Sequence, residues 1–165
     1  MGSGRQLLAF PGLPVASTAM GDYDVGLAGT IHESLGITSV EAGPDRVVFE
    51  MPVGPKVYQP MGSLHGGASA VLAESAASVG TWLNCDPERE YALGVELNIS
   101  HLRGRRDGTV RATAVPVRKG RSLHVWAVEI ASDDGELVAV ARCTVAIRRI
   151  DPGSSPGSVP SGPND

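Results

Sequence analysis

The chain has 165 residues, 42% of them apolar, and a formal net charge of −4. That suits one domain around one core and argues against a general nucleic-acid binder. Its two cysteines, Cys85 and Cys143, are far apart, with no CxxC pair and no His/Cys cluster. Neither a metal site nor a disulfide framework is expected from them, only structural thiols in a reducing cytoplasm.

Residues 1–21 mix Gly, Pro and Ser without periodicity and are expected to be a flexible segment. The apolar run at 7–10 is too short for a signal peptide, and no stretch approaches the ~20 apolar residues of a membrane span. A cytoplasmic protein with no membrane partner is the expectation. The folded unit is expected over 22–150, and the Pro/Gly/Ser tail at 151–165 is expected to be disordered.

Val25, Leu27, Ile31 and Leu35 suit a short helix with Asp24 as cap and Gly36 as stop. A hairpin follows over 37–42 and 46–53 across Gly43-Pro44-Asp45. The long helix is expected from Gly66 to about Leu83. Four β-type runs come after it, at 92–102, 109–118, 122–132 and 137–149, separated by turn signals and read as a meander. Both faces of the run at 122–132 are partly apolar, as a sheet covered by a helix on one side and a partner subunit on the other requires. Six strands and one long helix offer too few crossovers for a doubly wound fold. The economical solution is α+β, one antiparallel sheet curled around a central helix.

The most informative stretch is Gln59-Pro-Met-Gly-Ser-Leu-His65-Gly66-Gly67, running straight into a helix of small residues that carries one acid, Glu74. A lone carboxylate among Ala, Ser and Gly is expected to be paired or put to use, and its small neighbours argue for close packing around it and against free exposure.

Gln59, His65-Gly66-Gly67 and Glu74 at these spacings resemble the hotdog-fold acyl-CoA thioesterases, in the glutamate branch of the PaaI-like superfamily. That branch holds the 4-hydroxybenzoyl-CoA, enterobactin-proofreading and 1,4-dihydroxy-2-naphthoyl-CoA enzymes. The stretches 94–103 and 119–126 match as well, so the resemblance covers about 36–147. It implies a hotdog fold, hydrolysis of acyl-CoA, and no cofactor beyond the CoA carried by the substrate. Aromatic acyl groups are the first expectation. A broad medium- or long-chain fatty acyl-CoA thioesterase and a non-catalytic acyl-CoA-binding protein are the alternatives. A hydratase on the same fold typically shows a His-Phe-Pro loop, and this chain has His-Gly-Gly.

For thioester hydrolysis, the Gly66 N–H at the helix start can polarise the carbonyl, with Gln59 as a second donor and His65 orienting the loop. Glu74 serves as nucleophile or general base, with Ser78 one turn on to hydrogen-bond the carboxylate or position water. Gly66 and Glu74 lie eight residues apart, hence ~12 Å along the helix. One carbonyl cannot touch both. Either only one of them is catalytic, or two helices from two subunits complete each site. The resemblance implies the second, a homodimer with composite sites that pairs further into a tetramer. It also implies CoA contacts at Arg103, Gly104, Lys119, Gly120, Arg121 and Ser122, with Gly94 and His101 near the pantetheine or acyl group. Arg105 and Arg106 are read as surface residues.

Overall fold

The computed structural model describes residues 29–150. The terminal segments 1–21 and 151–165, and the stretch around Asp24 and Val25, lie outside the described residues. Helix α1 spans Ile31–Leu35, capped by the Thr30 side chain and stopped by Gly36 in the left-handed conformation at φ 71°. Strands β1 (Thr38–Ala42) and β2 (Val47–Pro52) form the expected hairpin. Helix α2 spans Gly66–Trp82, and β3 to β6 span Glu90–His101, Thr109–Lys119, Leu123–Ser132 and Leu137–Arg149.

The six strands make one antiparallel sheet in the order β1-β2-β4-β5-β6-β3. This corrects the meander: only β4-β5-β6 is one. β3 pairs along its whole length with β6, at the far edge from β1. The connection 102–108 therefore crosses the open end of the sheet to reach β4 beside β2. It passes the N-terminus of α2, where Leu64 N–H donates to the Arg105 carbonyl at 2.7 Å.

Alternation along each strand sends one set of side chains inward. Phe49, Met51, Val110, Ala112, Trp126, Val128, Ile130, Cys143 and Val145 are buried against α2 residues Leu72, Ala73, Ala76 and Ala77. The helix is rich in Ala, the strongest helix former, and its slim side chains let the sheet approach closely. Gly80 marks a close approach of helix and sheet, because a Cβ there would lie 2.5 Å from the Trp126 ring. That ring is fixed by its Nε1–H donating to Thr81 Oγ1 at 2.8 Å.

On the other side of α2, Gly67 and Glu74 are exposed and Ser78 is half-buried. Outward-facing Val115, Val117 and Leu123 on β4 and β5 are also exposed, as are Tyr91, Leu93 and Val95 on the edge strand β3.

Candidate active site

The loop before α2 is built from its own polar groups. Gln59 Nε2 donates to Ser63 Oγ at 2.7 Å, and Gln59 Oε1 accepts from the Met61 N–H at 2.6 Å. His65 is the N-cap of α2: its Nδ1 accepts the Gly67 N–H at 2.8 Å, which leaves Nε2 as the ring's donor nitrogen. With Gly67 capped, the Gly66 N–H is the first orphan donor of the helix. Among the described residues it donates to no acceptor.

A cleft of about 350 Å³ opens at this point, lined by Gln59, Ser63, Leu64, Gly66, Ser69, His101, Leu102, Arg103, Gly104 and Val138. The His101 imidazole lies directly over Gly66, where a Cβ would meet Nε2 at 2.7 Å. Glycine is needed at 66 for this contact as well as for access to its N–H.

Glu74 lies elsewhere. Its carboxylate sits over the backbone of Gly94, where a Cβ would fall 2.1 Å from Oε1. A bulge between Gly94 and Glu96 bends β3 at that point. The buried Cys143 thiol is pushed up to about 12, by burial first and then by the Glu74 and Glu96 charges. Cys85, raised to about 11 by burial and by Glu90, is no thiolate nucleophile either. Contrary to the expectation of an enclosed acid, Glu74 is exposed in the single chain, and no hydrogen bond or ion pair among the described residues holds it. The small residues around it leave it uncovered rather than shield it.

A family model, the thioesterase superfamily, matches residues 61–139. A 1,4-dihydroxy-2-naphthoyl-CoA hydrolase of Listeria monocytogenes is 39% identical, covering 72% of this chain and 96% of that protein. One of Escherichia coli is also 39% identical, covering 80% and 92%. The chain belongs to the thioesterase superfamily. Among solved structures, a glutamine-to-alanine mutant of thioesterase PA1618 from Pseudomonas aeruginosa superposes with a TM-score of 0.74. It is 38% identical and covers 77% of this chain and 91% of that one. The hotdog architecture and the activity class, hydrolysis of acyl-CoA thioesters, follow.

Within this thioesterase the expected residues fall into three groups along α2. Gln59, Gly66, His101, Arg103 and Gly104 meet at the cleft by its N-terminus, with His65 capping the helix beside them. Glu74 and Gly94 meet halfway along, with Ser78 half-buried one turn on. Lys119, Gly120, Arg121 and Ser122 form the β4–β5 turn near the C-terminal end. There Lys119 Nζ reaches Asp45 Oδ1 at 2.5 Å and Asn84 Oδ1 at 3.2 Å. One chain does not bring the three groups together.

One cleft residue and one residue behind the cleft wall are not among the expected site residues. Ser69, buried in the cleft wall, sits three residues after Gly66 on the same helix face, a spacing that would have marked it. Arg105, read as surface, has a side chain only 19% exposed and is paired with three carboxylates. The acidic turn Asp133-Asp134-Gly135-Glu136 was the available signal.

Proposed function

We propose that this thioesterase acts on aromatic acyl-CoA, with 1,4-dihydroxy-2-naphthoyl-CoA as first substrate and 4-hydroxybenzoyl-type thioesters second. Each active site takes Gly66 from one subunit and Glu74 from the other. The observation that carries the composite site is the separation of an unoccupied N–H donor at Gly66 from an uncovered acid at Glu74, on one rigid helix. Two such helices packed antiparallel through their uncovered faces place each acid beside the other chain's donor. β3, which carries Gly94 beside Glu74, is an edge strand whose free edge adjoins that surface, and the outer patch of Val115, Val117 and Leu123 suits pairing of dimers. The aromatic preference rests on the two relatives named as naphthoyl-CoA hydrolases.

In this site the thioester carbonyl oxygen accepts from the Gly66 N–H, with the Gln59 amide and the α2 dipole alongside, so negative charge developing on oxygen is stabilised. Glu74 attacks the carbonyl carbon, or takes the proton from the water that does. If Glu74 attacks, the C–S bond breaks as an anhydride forms between the acyl group and the Glu74 carboxylate, CoA leaves as a thiolate that is protonated by water, and a second water hydrolyses the anhydride to release the acid and restore Glu74. If Glu74 is the base, the water oxygen bonds to the carbonyl carbon, the C–S bond breaks, and the proton taken by Glu74 passes to the departing CoA thiolate, which leaves the free acid. Ser78 is placed one turn on to hydrogen-bond the carboxylate. Arg103 and Gly104, with Lys119, Gly120, Arg121 and Ser122, hold the CoA phosphates, and His101 lies along the pantetheine arm.

Mixed dimers test this. Gly66→Pro deletes the N–H at the first helical position, where proline is tolerated; His65 already has the extended backbone a following proline requires, at φ −73° and ψ 130°. Gly66→Ala displaces His101 but keeps the donor and serves as the control. Glu74→Ala and Gly66→Pro homodimers are expected to be inactive, while their tagged heterodimer regains one intact site and up to half the wild-type rate. Folded heterodimers with no recovered activity would rule out the composite site.

A further inference from the structure

The connection 102–106 has no strand pairing of its own, yet it supplies one wall of the cleft through Leu102, Arg103 and Gly104. Backbone bonds hold it at two places. Leu102 N–H and Arg103 N–H donate to the Val138 carbonyl at 2.8 and 3.2 Å, and the Arg105 carbonyl accepts from Leu64 N–H. Tyr58 adds a hydroxyl donated to the Arg106 carbonyl. The rest of the restraint is ionic. Arg105 Nη2 donates to Asp134 Oδ1 at 2.5 Å and Nη1 to Glu136 Oε2 at 3.2 Å, with Asp133 Oδ1 at 3.9 Å. Glu136 also accepts from Arg103 Nη1 at 3.2 Å.

An isolated surface ion pair contributes little, but this one differs in three respects. The guanidinium uses two of its nitrogens on two carboxylates, a geometry that lysine cannot reproduce. Its side chain is 19% exposed, against 55% for Arg103. Its own backbone carbonyl anchors the residue just before His65-Gly66. Arg105 thus ties the β5–β6 turn to the loop that carries the oxyanion donors. Movement of 102–106 would change the distance between the Arg103–Gly104 wall and the Gln59–Gly66 wall.

We propose that Arg105 is a positioning residue: held by the Asp134–Glu136 turn, it sets the width of the cleft and so the affinity for the acyl-pantetheine part of the substrate. The proposal rests on the thioesterase reading of the cleft. It assigns Arg105 no contact with the substrate.

The test is steady-state hydrolysis by the full chain as wild type, Arg105→Ala, Arg105→Lys and Asp134→Asn, on an aryl-CoA and on the matching aryl-pantetheine thioester. The expected result is a KM raised about tenfold by Arg105→Ala on both substrates with kcat within about threefold, the signature of lost uniform binding. Arg105→Lys is expected to restore part of the loss. Asp134→Asn, which keeps the side-chain shape and the arginine, is expected to shift KM in the same direction and decides the matter if Arg105→Ala does not fold. An unchanged KM with only a lowered melting temperature would reduce the cluster to a stability element and overturn the proposal. A KM effect confined to the CoA substrate would make Arg105 a direct phosphate ligand and overturn it as well. Absence of turnover in the wild type would instead refute the thioesterase reading, a result visible before any variant is compared.

Discussion

Replacing Gly94 by alanine separates catalysis from folding in this chain. The new methyl would lie 2.1 Å from Glu74 Oε1 but 3.1 Å from its Cδ and 3.5 Å from its Cγ. Only the tip of the side chain collides, so rotation of the carboxylate relieves the clash while α2 and β3 stay in place. The oxygen must still retreat by about 1 Å, and a displacement of that size at a reacting group costs about a hundredfold in rate. That corresponds to about 2.7 kcal/mol in the activation barrier. The assay is thiol release from an aryl-CoA, read as kcat/KM, beside a thermal melt and a sizing run. The expected outcome is kcat/KM reduced about a hundredfold with a melting temperature close to wild type. Because the loss acts through Glu74, Gly94→Ala combined with Glu74→Ala is expected to be no worse than Glu74→Ala alone. A folded Gly94→Ala protein within threefold of wild type, or a double variant showing full additivity, would refute the placement of Glu74 over Gly94.

Gly80→Ala is expected to behave in the opposite way. Its methyl meets the buried Trp126 ring at 2.5 Å, and the ring is pinned by Thr81. Overpacking of about 1–3 kcal/mol then outweighs the ordinary gain from alanine in a helix, and a melt showing no loss would contradict the packing. Stability is also expected to fall in mild acid. Burial lowers His32, and burial, with Lys119 adding to it and a Gly120 backbone hydrogen bond opposing, lowers His124. Both are neutral in either state above about pH 6.5, so their contribution is complete there. Below that the unfolded chain takes up protons that the folded one refuses, and stability drops. Asp134, held well below the usual carboxylate range first by its Arg105 hydrogen bond, stays ionised across this window. Melts from pH 7.5 to 5 are expected to show a shallower decline in His124→Gln, and equal slopes would refute the assignment.

Much of the fold was legible because strand alternation and turn residues act locally. The hairpin turn at 43–45 and the start of α2 at Gly66 are written in adjacent residues. The partner of β3 was not. Alternating side chains determine which face of a strand is buried but not which neighbour it pairs with, and β3 pairs with the strand most distant from it in sequence after α2. The Gly66 cleft was legible from loop chemistry, yet the role of Arg105 depended on an acidic turn about thirty residues later, which only the β3–β4 crossing brings near. The exposure of Glu74 escaped for a related reason. Small neighbours indicate close packing, but not whether the packing comes from the same chain.

In the proposed reaction Glu74 drives hydrolysis of aromatic acyl-CoA. The most direct test is free-thiol release by wild type and Glu74→Ala against 1,4-dihydroxy-2-naphthoyl-, 4-hydroxybenzoyl-, benzoyl-, phenylacetyl-, acetyl- and long-chain fatty acyl-CoA. The expected result is a strong preference for the aromatic thioesters, with hydrolysis abolished in a variant that still folds and binds CoA. Unchanged turnover in folded Glu74→Ala, or a preference for fatty acyl chains, would contradict it.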